Sequence, residues 1–376
     1  MIMRIEVAKP YLNEQEQRAV ADVIAGGWVS QGPKVAEFEN IFAAYVGARY
    51  AIATTSCTTA LHAALVVSGI GPGDEVIVPS LSFIATANSV VHSGAIPVFA
   101  DIDPETCNID VSKIEALITM KTKAIMPVHQ VGLPADLDSI QLIAQKHNLM
   151  VIEDAACAIG SEYKGKRIGG YGNTACFSFH PRKIITTGEG GIITTDSPEM
   201  AERLRRFRHH GMSVSDLERH TSHEIIIESY PELGYNYRMT DMQAALGIVQ
   251  MQKLAEILKK RLDIADRYNK AFSEISSLRV PRIPEYALHN YQSYWLEVLD
   301  KSRVSRNMLM QRLLEQGISS RRGIMAIHRE PCYIGYKAKL PETERITDKT
   351  IILPLYPSMT DDEVRHVIEC VCNTVC

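Results

Sequence analysis

The stretch Phe177-Ser-Phe-His-Pro-Arg-Lys-Ile-Ile-Thr-Thr-Gly-Glu-Gly-Gly191 has the pattern of a buried strand, a lysine-bearing loop, a glycine-rich turn and the start of another strand. A lysine leaving the end of a buried strand is partly stripped of water, and desolvation disfavours an ammonium ion. Lys183 is therefore expected to have a lowered pKa and an amine nucleophilic enough to form a Schiff base. A strand-end lysine is more often a plain surface charge, so the weight falls on its surroundings. The Gly188-x-Gly190-Gly191 pattern is not a dinucleotide fingerprint, because it runs into a strand instead of opening a helix.

Working outward, short β-branched runs recur at 50–55, 75–79, 97–101, 124–128, 149–153, 175–179 and 191–195. Each is apolar at successive positions, as in strands covered on both faces. Helical spacing fills most of the intervals, at Leu61, Ala64, Leu65 and Ser68 and at Ile140, Ile143, Ala144 and His147. Alternation of strand and helix predicts an α/β fold with a mainly parallel seven-stranded sheet and helices on both faces. After about residue 240 the pattern changes to a long helix near 242–275. A strand at 294–299, a helix at 306–316 and a closing helix from Asp361 follow. This divides the chain into a large domain, 1–245, and a small α+β domain, 246–376.

Two further stretches change the odds for Lys183. Val151-Ile-Glu-Asp-Ala-Ala156 ends a central strand in acids, and a buried Asp154 is costly without a cation. A protonated pyridine nitrogen is such a cation. Thr54-Thr-Ser-Cys-Thr-Thr-Ala-Leu61 turns from a strand into a helix through small hydroxylated residues, and free N–H groups at a helix start hold a dianion. Cys57 and Thr58 are the candidate contacts there. Taken alone, this cluster would be simple helix capping. Lysine, acid and phosphate turn together point to pyridoxal 5'-phosphate.

These motifs, with Leu233-Gly-Tyr-Asn-Tyr-Arg-Met-Thr-Asp241, Gly27-Trp-Val-Ser-Gln-Gly-Pro33 and Arg321-Arg-Gly-Ile-Met-Ala-Ile-His328, resemble the DegT/StrS family of sugar aminotransferases over nearly the whole chain. The resemblance implies a fold-type I enzyme in which Lys183 carries the cofactor and Asp154 meets its ring nitrogen. It implies Ser178 beside Thr58 at the phosphate, Phe83 stacked on the ring, and Asn236 reaching the phosphate of a neighbouring subunit in a homodimer. His180, Arg238 and His328 match positions lining the substrate pocket. Two residues depart from the pattern. Cys57 stands where most relatives have glycine, which requires a negative φ there. Cys157 stands where Gln or His is common near the cofactor hydroxyl, and a thiol is a weaker hydrogen-bond partner.

The activity implied is transamination from L-glutamate to a keto-sugar, expected to be nucleotide-linked, for surface polysaccharide or glycoconjugate biosynthesis. Sugar dehydratases on this fold replace the lysine, commonly with histidine, and this chain keeps it. A cyclitol, an aminobenzoate precursor or a keto-acid sugar remains an alternative substrate. A non-catalytic cofactor-binding regulator would have a basic helix-turn-helix module before the fold, and none is present.

Composition agrees with an enzyme of small molecules. The 376 residues carry 40 basic and 44 acidic side chains, a formal charge of -4 that offers nucleic acid or an anionic membrane no broad attraction. The apolar stretch 76–100 is broken by Pro79, Gly94 and Pro97, so it is strand, loop and helix, not a membrane span. No secretory signal opens the sequence, and eight scattered cysteines do not make a disulfide framework, so a cytoplasmic location is expected. No metal site is expected either. Cys370, Cys372 and Cys376 lack a second ligand pair, and His209, His210, His220 and His223 fall in a polar segment without acid or cysteine spacing.

Overall fold

The computed structural model describes residues 4–214, 219, 222–336 and 338–375; His220 and Cys376 lie outside them. Nine strands form in the first half: β1 (Tyr50–Thr54), β2 (Glu75–Pro79), β3 (Ile96–Ala100), β4 (Thr122–Ile125), β5 (Met150–Asp154), β6 (Glu162–Tyr163), β7 (Lys166–Arg167), β8 (Thr174–Ser178) and β9 (Gly191–Thr195). All except β6 and β7 build one sheet in the order β1-β9-β8-β5-β4-β2-β3. Each of the seven runs predicted as strands supplies one of its members.

Successive residues bury on opposite faces. Ile52, Val76, Val78, Ile152, Cys176 and Ile193 pack on one side, beneath the helices Cys57–Val67 and Ala85–His92. Ala51, Ala53, Ala175, Phe177 and Ile192 pack on the other, against Pro33–Val46 and the long helix Asp241–Phe272. Further along that second side, Ile77, Ile125 and Val151 meet Ile140 and Ala144 of the helix Leu137–His147. This two-sided burial is why the strands read as continuous apolar runs.

One strand departs from the parallel arrangement: β9 runs antiparallel to both β8 and β1, while the pairs β3·β2, β2·β4, β4·β5 and β5·β8 are parallel. The link from β8 to β9 contains no helix. A parallel return needs a crossover long enough for one, whereas a glycine-rich turn sends the chain straight back. Because β1 is reversed twice relative to β8, the two again point the same way. The ends of β1, β2, β5 and β8 therefore open on one edge of the sheet, the edge where such folds bind ligands.

The second half adds β10 (Leu278–Arg279), β11 (Ala287–Leu288), β12 (Tyr294–Val298), β13 (Arg321–Arg322) and β14 (Thr350–Leu353). An antiparallel sheet, β10-β12-β14-β13, packs with the helices Arg306–Glu315 and Asp361–Val375 around Leu296, Leu309, Ile351 and Val367. Thr240 and Gln243 form a capping box that starts the long helix. The helix serves both cores, with Ala244, Ile248, Leu254 and Ile257 in the first and Ile264, Ala265, Tyr268 and Phe272 in the second. The amino terminus also belongs to the second core, where Ile5 bridges Ile318.

Candidate active site

The Phe-Ser-Phe motif works by alternation. Phe177 and Phe179 point into the core, where Phe177 meets Phe42 edge-on at 5.1 Å and Phe179 meets Phe38 at 5.2 Å. Ser178 is thereby turned to the opposite side, at the open end of β8, where its Oγ accepts from the His180 N–H at 3.4 Å. The turn to β9 brings Gly191 against the phosphate turn. A Cβ there would lie 2.4 Å from the Ser56 carbonyl and 2.6 Å from the Cys57 nitrogen, so only glycine lets the two segments meet.

The helix Cys57–Val67 starts at this point, with Ser56 as N-cap bonded to the Thr59 N–H. Cys57 occupies the first helical position with negative φ, the condition under which it can replace glycine. Its thiol points inward to the Cys176 carbonyl at 3.6 Å, and burial first, then the Asp154 charge, pushes that thiol well above its ordinary pKa. Cys57 can therefore offer an anion its backbone N–H but not its side chain. The N–H groups of Cys57 and Thr58 have no protein acceptor among the described residues.

Asp154 closes β5 and is 5% exposed. One carboxylate oxygen accepts from Thr86 Oγ1 at 2.7 Å and the other from the Ala156 N–H at 3.2 Å. Ser82 supports Thr86 at 2.7 Å, so the order of donation runs from Ser82 to Thr86 to Asp154. No lysine, arginine or histidine of the described residues forms an ion pair with Asp154. On the other face of β5, Glu153 accepts from His129 Nε2 at 2.9 Å and from Asn173 Nδ2 at 2.8 Å, which anchors the strand end.

Lys183 Nζ donates to Cys157 Sγ at 3.1 Å. Burial pushes its pKa down, as expected from the sequence, but Cys157, Cys57 and Asp154 together push it up by more, and the net direction is upward. The net direction is the reverse of the lowering expected from burial alone, because Cys157 and the other neighbouring groups favour the ammonium. Lys183, Cys157, Cys57 and Asp154 lie close enough to feel one another's charge, and together they make up the floor of the site.

The structure places the other predicted residues one by one. Phe83 is 62% exposed in the loop before Ala85–His92, not a core residue. Asn236 is exposed, in a strip held beside the phosphate turn where the Thr55 N–H donates to the Tyr237 carbonyl at 3.0 Å. Arg238 contacts His209 Nδ1 at 2.9 Å. His180 accepts from the Arg182 N–H at 3.2 Å, and its Nε2 lies 4.0 Å from Glu189. His328 is buried; its Nδ1 is 2.7 Å from Ser80 Oγ and its Nε2 is 3.4 Å from Glu344.

Sequence reasoning missed the residues that brace these groups. Thr86 and Ser82 flank Phe83 in Ser80-Leu-Ser-Phe-Ile-Ala-Thr86, and a hydroxyl pair spaced by four ahead of a helix was a usable signal. Asn290 and Gln292 had none. Asn290 Nδ2 donates to the carbonyls of Cys157 at 2.7 Å and Ile159 at 2.8 Å, and Gln292 Nε2 donates to the Arg182 carbonyl at 2.7 Å.

A pyridoxal phosphate fits these residues. The buried carboxylate without a protein cation matches a protonated ring nitrogen, the undonated N–H groups at a helix start match a phosphate, and a lysine amine lies on the same floor.

Comparison with known proteins agrees. The model of the DegT/DnrJ/EryC1/StrS aminotransferase family matches residues 10–372. The spore coat polysaccharide biosynthesis protein SpsC of Bacillus subtilis is 43% identical over 97% of this chain and 96% of its own length. GDP-perosamine synthase of Caulobacter vibrioides is 41% identical over 97% and 96%. Among solved structures, Spr1654 from Streptococcus pneumoniae in its PLP form superposes with a TM-score of 0.92 at 30% identity, covering 99% of both chains. The chain therefore belongs to the DegT/DnrJ/EryC1/StrS aminotransferase family, and pyridoxal phosphate is its cofactor.

Proposed function

We propose that the protein takes an amino group from L-glutamate and delivers it to a nucleotide-linked keto-sugar destined for a surface polysaccharide or glycoconjugate. The observation that carries the reading is Lys183 close to a buried Asp154 that forms no ion pair among the described residues. The kinship with GDP-perosamine synthase and with a spore coat polysaccharide biosynthesis protein supports the acceptor class.

When bound, pyridoxal phosphate supplies a carbonyl carbon that an amine can join and a ring that takes up electrons. The N–H groups of Cys57 and Thr58, with the hydroxyls of Thr58 and Ser178, hold its phosphate. Asp154 holds the proton on the ring nitrogen, and the hydroxyl of Thr86 fixes the carboxylate for that task. Phe83 would cover a ring face, and Cys157 would lie near the ring. Lys183 Nζ must lose its proton before it can act as a nucleophile, and it then carries protons to and from the substrate carbon that bears the amino group. His180, Arg238 and His328 line the substrate side, His328 held in place by Ser80 and Glu344.

We further propose a homodimer in which Asn236 serves the phosphate of the partner subunit. The segment that leads into Asn236 carries Ile225, Ile227 and Leu233, which are 94%, 88% and 93% exposed, apolar side chains suited to a second copy. Among the described residues no helix is long and apolar enough to cross a membrane, and the seven described cysteines are unbridged, which suits the reducing cytoplasm. The test is a panel of nucleotide keto-sugars offered to enzyme preloaded with glutamate. Return of the visible absorbance of the lysine-linked cofactor with one of them supports the reading, and no return with any of them overturns it.

A further inference from the structure

An amine and a thiol meet on the floor of the site, where Lys183 Nζ lies 3.1 Å from Cys157 Sγ. Both are held from behind by the loop between β11 and β12. Asn290 Nδ2 donates to the Cys157 carbonyl at 2.7 Å. The backbone that carries Lys183 is fixed where Gln292 Nε2 donates to the Arg182 carbonyl at 2.7 Å and the Lys183 N–H donates to the His180 carbonyl at 2.8 Å. Two nucleophiles from separate strand ends are thus kept face to face by hydrogen bonds that neither side chain makes itself.

Other thiols of the large domain are placed differently. Cys57 turns its sulfur to the Cys176 carbonyl at 3.6 Å, and burial first of all pushes Cys57 and Cys176 well above the ordinary thiol range and Cys107 up to about 12. Peroxides attack the thiolate, so these three buried thiols are poor targets. Cys157 is half-buried, which leaves its sulfur within reach of a small oxidant.

We propose that Cys157 and Lys183 are a site of oxidative modification, at which a peroxide joins Sγ to Nζ and takes the lysine out of service. In the first step hydrogen peroxide oxidises the thiol by two electrons to a sulfenic acid; the O–O bond breaks, one oxygen stays on sulfur and the other leaves as water. In the second, the Lys183 lone pair attacks that sulfur. The S–N bond forms, the S–O bond breaks, and the hydroxyl leaves with an amine proton as water. An amine already in contact makes this an intramolecular step. A thiol reductant reverses it: one thiol opens the S–N bond, which frees the amine and leaves a mixed disulfide on Cys157, and a second thiol releases Cys157. When the amine attacks depends on the reading of Lys183 as the residue that joins the cofactor. While joined, its lone pair is committed; once glutamate has given up its amino group, the lysine is free beside Cys157. Oxidation therefore arrests the enzyme in its amino-loaded state.

The test exposes the holoenzyme to hydrogen peroxide in two states, resting and preloaded with glutamate, and maps its proteolytic peptides by mass spectrometry. The expected product in the loaded state is a linked pair of peptides, one with Cys157 and one with Lys183, whose mass is that of the two less two hydrogen atoms. Dithiothreitol should separate the pair and return the activity. Activity should be lost at least about tenfold faster in the loaded than in the resting state, because a free amine is there to trap the sulfenic acid. Cys157→Ser should give no linked pair and, measured against its own starting activity, lose the difference between the two states. A Cys157 that peroxide leaves unchanged, one oxidised to sulfinic acid without a link, or a disulfide from Cys157 to Cys57 would each overturn the proposal. A linked pair that forms equally fast in both states upholds the modification site and overturns the assignment of Lys183 to the cofactor.

Discussion

Asp154 is 5% exposed and has hydrogen bonds to both carboxylate oxygens from its own half of the chain, whereas Phe83 is 62% exposed and Asn236 stands on a strip whose Leu233 is 93% exposed. The floor of the site is thus complete within one chain, from the Ser82–Thr86–Asp154 relay to the Lys183–Cys157 contact. The rim presents side chains with little around them. A floor must hold a charge in a fixed place, which takes buried partners. In the homodimer proposed above, a rim would meet substrate and a second subunit, and its partners would arrive with them. Substitutions on the floor should therefore act on chemistry, and those on the rim on assembly and binding.

The largest effects belong to the floor. Lys183→Ala should lower turnover by at least about a thousandfold and abolish the visible absorbance of the lysine-linked cofactor, since nucleophile and proton carrier are lost together. Near wild-type turnover would break the comparison at its base. Asp154→Asn keeps the shape and removes the charge, and kcat should fall by about a hundredfold or more. Thr86→Val removes one of the acid's partners without touching the cofactor. A loss of about tenfold in kcat, with a shifted cofactor absorbance band, would mark Thr86 as a positioning residue. A change in thermal stability alone would reduce it to packing.

The rim makes the opposite prediction. Asn236→Ala and Lys183→Ala, each inactive alone, should regain activity when mixed, because a hybrid dimer combines an intact Lys183 from one chain with an intact Asn236 from the other. Random exchange of subunits gives about a quarter of wild-type activity, as half of the dimers are hybrids with one good site of two. No recovery after confirmed subunit exchange would mean that the rim, like the floor, is complete in one chain.

The same division explains what the sequence made legible. The strands of the large sheet bury both faces, so each left an apolar run, and all seven could be read in advance. The direction of β9 could not be read from its residues, only from the missing helix before it. At the site, Lys183, Asp154 and the turn at Cys57 are strand-end residues with local signatures. The direction of the Lys183 shift is different in kind. It depends on Cys157, Cys57 and Asp154, which come from separate strand ends, and their sum outweighs the burial that the sequence did suggest. Asn290 and Gln292 were equally out of reach, because they act on carbonyls of Cys157, Ile159 and Arg182 far away in the chain. Removing Asn290 with Asn290→Ala leaves the buried Ile159 carbonyl and the part-buried Cys157 carbonyl without this donor, a cost of about 1–3 kcal/mol for the buried group and less for the other. A lower melting temperature of the holoenzyme, with the Lys183 floor loosened, is the expected result.

The smallest effect follows from the loop that carries this brace. His289 stacks on Tyr291 at 4.2 Å and accepts from its N–H at 3.1 Å, while buried Arg261 donates to the Tyr291 carbonyl at 2.9 Å. Burial pushes His289 from its ordinary 6.5 down to about 3, the backbone carbonyl of Gly132 works the other way, and the charge of Arg261 adds a smaller downward push. Above pH 6.5 the imidazole is neutral in both folded and unfolded chains and pH has no hold on it. Below that value the unfolded chain takes up a proton that the folded chain refuses, so stability declines as pH falls from 6.5 toward 3. At pH 5 the cost is about 2 kcal/mol, a shift of about 1–3 °C in a chain of this size. Melting curves at pH 7 and pH 5 should therefore draw closer together in His289→Gln than in the wild type. An equal spread in both proteins would mean that the brace between the two cores does not sense protons, and that acid lability arises elsewhere.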